Sequence, residues 1–369
     1  SKVQMLSEAL GIPGENIFIV ATHTHNVPML GRNGKLKDAE PFHHILQENP
    51  QIAEKHLAFE AKINDQLKKA VMEALSSMQP ARMGIGYADS YINVNRDQKY
   101  NGIYKMGFNG SGPSDKTAAL IRFENEEGKP IALFANYGCH CVIAYLNRCL
   151  EGGKSGVTAD LAGFVSTAYE MYYPGTVCIW SPASAGNQNP IFMNFFGWPD
   201  IMTGEVREGL IQAGNTDYLK VLGARHLADL KTAESRIDTW TDHIDIKAKR
   251  DVLMVPVDPE KKGSMPRVTI DGKQRLIVTG LALGDIFLYG IGGELYCDIG
   301  EKLKALSEYP DTLICTLCIA SAGYLMDDED LTAPTLFADR MQWRPGYIRP
   351  MLEQFLTDCQ KEMREEIWY

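Results

Sequence analysis

The chain has 369 residues, of which 45% are hydrophobic and 23% charged, an ordinary globular composition with room for one large domain or two modest ones. A net charge of −10 argues against nucleic acid or an anionic membrane surface as a partner. Eight cysteines with no disulfide-type spacing favour a reducing compartment such as the cytoplasm. In chain order, Val3, Leu6 and Leu10 have helical spacing, and Gly11 to Gly14 stops that helix. The chain begins at Ser1, two residues before the apolar spacing of this helix, which predicts that native residues precede it and leaves secretion open. Residues 16–21 read as a buried strand, followed by a polar loop to about residue 50 and a long amphipathic helix over 52–78. Residues 82–91 read as a strand and 99–116 as glycine-rich and irregular.

Residues 118–123 and 131–137 form a hairpin through Glu126-Glu127-Gly128-Lys129. A helix over 161–173 follows, with Asp160 at the expected N-cap. Residues 176–180 read as a strand, 201–232 as mostly helix, and 237–257 and 276–289 as strand-bearing. Helix, strand and helix are expected over 295–307, 312–319 and 347–366. The uncharged run 312–326 is too short to span a bilayer. No repeat or long linker interrupts the pattern. The expectation is an α/β fold, a mixed β-sheet sandwiched by helices, in a single domain over 1–369.

Four short segments carry groups that could do chemistry. In Ala21-Thr22-His23-Thr24-His25, strand geometry carried past residue 21 would put both imidazoles on one face, a fair start for a metal site. Two loop histidines capping polar groups are the equal alternative. In Asn136-Tyr137-Gly138-Cys139-His140-Cys141, alternation turns both cysteines away from His140. Alone, His140 is better read as a buried, hydrogen-bonded residue. Gly290-Ile291-Gly292-Gly293-Glu294 ends an apolar run in a carboxylate that could be a ligand, a base or a helix cap. Ala320-Ser321-Ala322-Gly323-Tyr324 ends in a tyrosine that nothing local separates from a packed aromatic.

Other signals fail on spacing. Gly152-Gly153-Lys154-Ser155 lacks the first glycine of a phosphate loop, whose position holds Arg148. Gly290-x-Gly292 lacks the third glycine of a dinucleotide fingerprint, whose position holds Leu295. Cys315 and Cys318 make one CxxC without a second pair and read as core thiols. His43, His44 and His56 offer a second metal site as the alternative but read better as solvated surface.

Taken in order, these segments resemble the neutral (non-lysosomal) ceramidase family. The resemblance rests on Ala21 to His25, Val94-Asn95-Arg96, Asn136 to His140, Ala159-Asp160, Gly292-Gly293-Glu294 and Gly323-Tyr324. It implies a zinc ion (Zn2+) on His23, His140, Glu294 and Tyr324, with His25 and Arg96 facing the substrate. The chain departs from the family at Gly186-Asn187-Gln188-Asn189-Pro190. Asn189 stands there for the serine that ceramide cleavage requires, and Asn187 for an aspartate. The family's N-terminal strand and C-terminal β-sandwich domain have no counterpart between Ser1 and Tyr369.

The expected function is zinc-dependent hydrolysis of an amide or related bond, with long-chain ceramide a poor substrate. Zinc would activate water, His25 and Arg96 would serve the reacting groups, and Asn189 would donate its amide to the oxyanion. The substrate is expected to be a small molecule or lipid-like. Phe192, Phe195, Phe196 and Trp198 could line an acyl or aromatic pocket. The alternatives are a metal-bearing binding protein that has lost catalysis, a true ceramidase acting on N-acyl-sphingosine, and a scaffold with no site.

Overall fold

A computed structural model of the chain describes residues 2–28, 49–100, 102–145, 147, 149–150, 153–193, 195–199, 206–210, 216–261, 263, 268–333 and 337–365. Contacts divide the chain into one unit of Ser1–Ile17 with Val27–Pro80 and another of Phe18–Asn26 with Ala81–Tyr369. In the first unit the expected helices are α1 (Lys2–Leu10) and α2 (Pro50–Ser76). Leu6, at the centre of the apolar spacing, is the buried residue of α1. Proline in the first turn of α2 loses no helical hydrogen bond there.

The second unit opens with β1 (Arg82–Asp89), β2 (Asn93–Tyr100), β3 (Ile103–Asn109), β4 (Thr117–Glu124) and β5 (Pro130–Tyr137). Next come α3 (Asp160–Tyr172), β6 (Val177–Pro182), β7 (Gln188–Pro190), β8 (Phe195–Pro199), β9 (Val206–Leu210) and α4 (Asp217–Ser235). It continues through β10 (Ile246–Pro256), β11 (Thr269–Ile270), β12 (Lys273–Leu283), β13 (Ile286–Ile291), β14 (Glu294–Leu295) and α5 (Cys297–Leu306). It closes with β15 (Asp311–Thr316), β16 (Tyr324–Leu325), α6 (Asp328–Thr332) and α7 (Ile348–Glu365).

This is the expected α/β class with mixed sheets and flanking helices, built around two sheets. One runs β1-β4-β5-β6 and the other β10-β12-β13-β15. In each, the last pair is parallel and the others antiparallel. Ala119 and Ile121 of β4 meet Leu288, Leu313 and Cys315 between the sheets, while Ala118 and Leu120 face α3 and α4. Burial on both faces is why residues 118–121 of β4 read as an unbroken apolar run. On the other sheet Ile299, Leu303, Leu352 and Phe355 bring α5 and α7 onto the outer face. Each such large side chain stabilises the fold by roughly 1.5–3 kcal/mol. No helix among the described residues is long and apolar enough to cross a membrane.

Several expected elements differ. Residues 16–21 make one isolated bridge, Val20 to Cys318, and no full strand. Its partner segment holds Leu317 and Ile319 at φ 54° and 67°, which breaks a continuous ladder. Residues 99–116 include the hairpin β2–β3, whose Asn-Gly turn signal at 101–102 outweighs the glycine content. Residues 206–210 form a strand paired with β8, and among the described residues of the expected helix it is α4 that is helical. Asp160 is the first residue of α3, with Ala159 at the cap position.

His226 of α4 is fully buried against Tyr137, with ring centroids 4.5 Å apart. Trp180 Nε1 donates to its Nε2 at 3.3 Å, which leaves Nδ1 to donate to Ser90 Oγ at 3.0 Å. Burial pushes its pKa down to about 3. The unfolded chain, with an ordinary histidine near 6.5, therefore binds the extra proton between these values. Stability is expected to fall as pH drops from 6.5, by roughly 2 kcal/mol at pH 5 from this residue. Urea titrations at several pH values should show a shallower acid slope for His226→Gln; an unchanged slope would count against the assignment.

Candidate metal centre

The site is assembled where parallel strands end. Tyr137 of β5 and Pro182 of β6 finish in register, as do Ile291 of β13 and Thr316 of β15. His140, the 183–189 loop, Glu294 and the 317–324 segment follow those four ends. The carboxyl ends of parallel strands are where α/β sheets leave a crevice for ligands. A fifth segment, residues 21–26, is tied in by Ala21 N–H to Leu317 O at 3.3 Å and His25 N–H to Cys141 O at 3.3 Å.

Glu294 and Tyr324 are placed by one short pairing. β14 and β16 run parallel with Glu294 opposite Tyr324. Close backbone approach makes this possible. A Cβ on Gly293 would lie 2.7 Å from Leu325 Cδ1, and one on Gly186 would lie 2.6 Å from Glu294 O. His23 adopts φ 61°, so the alternation expected to align His23 and His25 does not continue to this residue. Strain brings the rings together instead: Nε2 of His25 lies 3.3 Å from Nε2 of His23. Of the five non-glycine residues with left-handed φ among the described residues, His23, Leu317 and Ile319 lie on these converging segments, and Asp160, at the start of α3, is hydrogen-bonded to one of them through Asn26. Such strain costs on the order of 1–3 kcal/mol each and persists only where surrounding contacts over-determine it.

His23 Nε2 lies 3.2 Å from Glu294 Oε2, and His140 Nε2 lies 3.4 Å from the same oxygen. His140 Nδ1 donates to Gln188 O at 3.0 Å. Burial, reinforced by Arg96, pushes the His140 pKa well below its ordinary value, so the ring is neutral and its one hydrogen is on Nδ1. Burial penalises the Glu294 carboxylate, and its pKa stays well below the usual range only while an imidazolium or another cation beside it carries the balancing positive charge. The two facing atoms, His140 Nε2 and Glu294 Oε2, are thus both acceptors, buried and without a hydrogen-bond partner. Such a pair is repulsive and costly unless a cation lies between its members. Imidazole and carboxylate fit zinc, and the Gln188 carbonyl, by accepting from Nδ1, holds the His140 ring with Nε2 toward Glu294.

His25 complicates the ligand set. Its ligand nitrogen and those of His23 and His140 all lie within 4.8 Å of one another. Two trios therefore share His23 and His140, completed by either Glu294 or His25. One side of the His25 ring is packed, and this desolvation, followed by His23, pushes its pKa down to about 4 while the residue remains exposed on the other side. The Tyr324 ring stacks on Phe337 at 4.2 Å. Burial pushes its phenol up to about 12 with Arg96 opposing, so a metal would have to displace that proton.

Arg96 is buried at an irregularity between Asn95 and Asp97 in the β2–β3 register, the kind of bulge that re-aims a side chain. Its guanidinium donates to Asn189 Oδ1 at 3.2 Å and Gly186 O at 2.6 Å, and lies 4.5 Å from the Phe337 ring centre. Its Nε has no hydrogen-bond partner. Asn189, expected as an oxyanion donor, spends its oxygen on Arg96 and directs its amide to Met193 Sδ at 3.6 Å. Asn187 Oδ1 accepts from Cys297 N–H at 3.0 Å, at the start of α5.

The structure thus brings together His23, His25, His140, Glu294, Tyr324 and Arg96, with Asn189 behind Arg96. Gln188, Asn26 and Phe337 also take part without a signal in the sequence; Gln188 acts through its backbone carbonyl, which no residue type marks. His43 and His44 lie outside the described residues, as do most of the 22–50 loop. Cys315 and Cys318 are buried core thiols, as expected. A cavity of about 620 Å³ lined by Met83, Tyr87, Asp238, His243 and Asp311 shares no residue with the cluster.

No family model matches the sequence, and no curated protein does. Solved structures do. A neutral ceramidase from Pseudomonas aeruginosa superposes with a TM-score of 0.70 at 15% identity over 99% of this chain and 64% of that one. A ceramidase complexed with C2 gives 0.69 at 15% identity, over 99% of this chain and 65% of that one. The chain spans about two-thirds of the length of either structure, and the likeness shows a ceramidase-like fold.

Proposed function

We propose that this chain is a zinc-dependent hydrolase cleaving an amide or related bond, with short or moderately polar substrates preferred over long-chain ceramide. The observation that carries the reading is the pair of buried, partnerless acceptors, His140 Nε2 and Glu294 Oε2, 3.4 Å apart. The proposed ligands are His23, His140, Glu294 and Tyr324. When bound, zinc supplies Lewis-acid activation of water and of the scissile carbonyl near neutral pH. The ceramidase-like fold supports hydrolysis, and the fit of the donor set supports zinc.

The chain's own groups divide the remaining work. His25 is neutral at pH 7 and stands at the exposed side of the cluster, so it can take a proton from the nucleophile and return it to the leaving group. Arg96 is permanently charged and stands beside the cluster, the group assigned to hold a substrate oxygen. Asn189 holds Arg96 in place through its amide oxygen. A serine at 189 could give and take a proton, whereas an amide can only make hydrogen bonds. Chemistry that leans on that relay is therefore lost, which is the reason to expect little ceramide cleavage.

Turnover of short N-acyl amides, esters, glycosides and a fluorescent long-chain ceramide should be compared on zinc-loaded and chelator-treated protein. Zinc-dependent turnover of a short amide or ester, exceeding that of ceramide, is expected. Efficient ceramide cleavage lost in His23→Ala would establish the true ceramidase instead. Zinc binding with no turnover across the panel would point to a binding protein, the reading favoured by the exchange of serine for Asn189.

A further inference from the structure

Resting on the metal reading above, we propose that Asp160 is the positioning residue of the centre, a single carboxylate that holds both histidine-bearing loops in register. Asp160 is 1% exposed and adopts φ 53°. Its Oδ1 accepts from Ile143 N–H at 3.1 Å and from Leu161 N–H at 2.8 Å. Its Oδ2 accepts from Ala144 N–H at 2.8 Å and from the Asn26 side-chain amide at 2.9 Å. These four donors come from three segments: the loop after His140, the loop after His25, and the first turn of α3.

The arrangement differs from a helix cap. A capping side chain satisfies donors of its own helix, but only Leu161 here belongs to α3. The other three donors are the loops that carry the proposed ligands. Asn26 follows His25 directly, and residues 143–144 lie three and four residues beyond His140. The same junction is closed by Thr24 Oγ1–H to Thr158 O at 2.9 Å and by Thr158 N–H to Asn26 O at 3.1 Å. Thr158 lies two residues before Asp160, Thr24 stands between His23 and His25, and Asn26 follows His25. Four acceptor positions filled by four donors make this a fully used carboxylate.

Strain gives the arrangement its point. His23 is held at φ 61° and Asp160 at φ 53°. Neither conformation is intrinsically favoured, so contacts around them must maintain both. Charge-assisted hydrogen bonds to a buried carboxylate are strong enough to do so, being roughly twice as strong as neutral ones. The carboxylate makes no contact with a ligand nitrogen; it acts through the backbone that aims the imidazoles.

Asp160→Asn separates this role from simple folding, because an amide keeps the size but replaces one acceptor oxygen with a donor. Two of the four donors then face a donor. The expected result is a folded protein whose zinc affinity, measured by chelator competition, falls by roughly 10–100-fold, the range for lost outer-shell partners. The cobalt-substituted variant should show shifted and weakened visible absorption bands, which a role in folding alone would not produce. Asn26→Ala removes one donor, leaves the backbone bonds, and should lose affinity by a smaller factor; it serves if Asp160→Asn does not fold. Unchanged affinity and cobalt spectra in the folded variants would overturn the positioning role while the metal reading stands. Failure of the unsubstituted protein to take up zinc or cobalt would overturn both.

Discussion

Glu294→Gln is expected to strip the metal from the protein while leaving the metal-free fold as stable as before or more so. Two acceptors face each other in the metal-free chain, His140 Nε2 and Glu294 Oε2. Glutamine has the same shape but brings an N–H2 that can donate to His140 Nε2, so the repulsion becomes a hydrogen bond worth about 1 kcal/mol. The same change removes the anionic ligand, and zinc affinity should fall by more than about 100-fold, since outer-shell losses alone reach that size. His23→Ala should also lose the metal, without the gain in apo stability. Elemental analysis after dialysis against a chelator, with thermal melts of the metal-free proteins, measures both effects. One zinc per chain in both variants would sink the ligand assignment.

His25→Ala is expected to keep zinc and to lose turnover by roughly 100-fold or more, the usual size of a lost general acid or base. The expectation turns on which of two trios holds the metal. His25 Nε2 is 3.3 Å from His23 Nε2, close enough to be a ligand. Yet His25 is the exposed member of the three histidines, whereas Glu294 is the one with a buried, partnerless oxygen. A buried charge that no hydrogen bond satisfies needs the cation most, so Glu294 takes the position and His25 is left for the substrate. Zinc content and steady-state rates on one preparation decide the matter. Loss of zinc in His25→Ala, with zinc retained in Glu294→Gln, would reverse the two roles.

Much of the fold was legible locally. The apolar run of β4, the hairpin to β5 and the spacing of α1, α2 and α7 each report burial through periodicity, a local property. The errors fell where distant contacts overrule local preference. Residues 16–21 have strand composition but meet a partner bent by Leu317 and Ile319. Residues 206–210 were read with the helix of α4 yet pair with β8. At the site, His23 and His25 do converge, though through a left-handed φ at His23 that no alternation rule predicts.

Tyr324 and Arg96 came only from the resemblance to a family, whereas the sequence by itself determined the α/β class, the order of its main elements, and that His23, His25, His140 and Glu294 are side chains with chemistry to offer near strand ends. Those are matters of residue type and short spacing. Only the tertiary structure decided that they meet, that His140 presents a bare nitrogen to Glu294, and that Asn189 serves Arg96. It also decided that Asp160 reaches across to both histidine loops. Each of these depends on hydrogen bonds between residues tens to hundreds of positions apart, many of them to backbone carbonyls and amides, which every residue type carries alike.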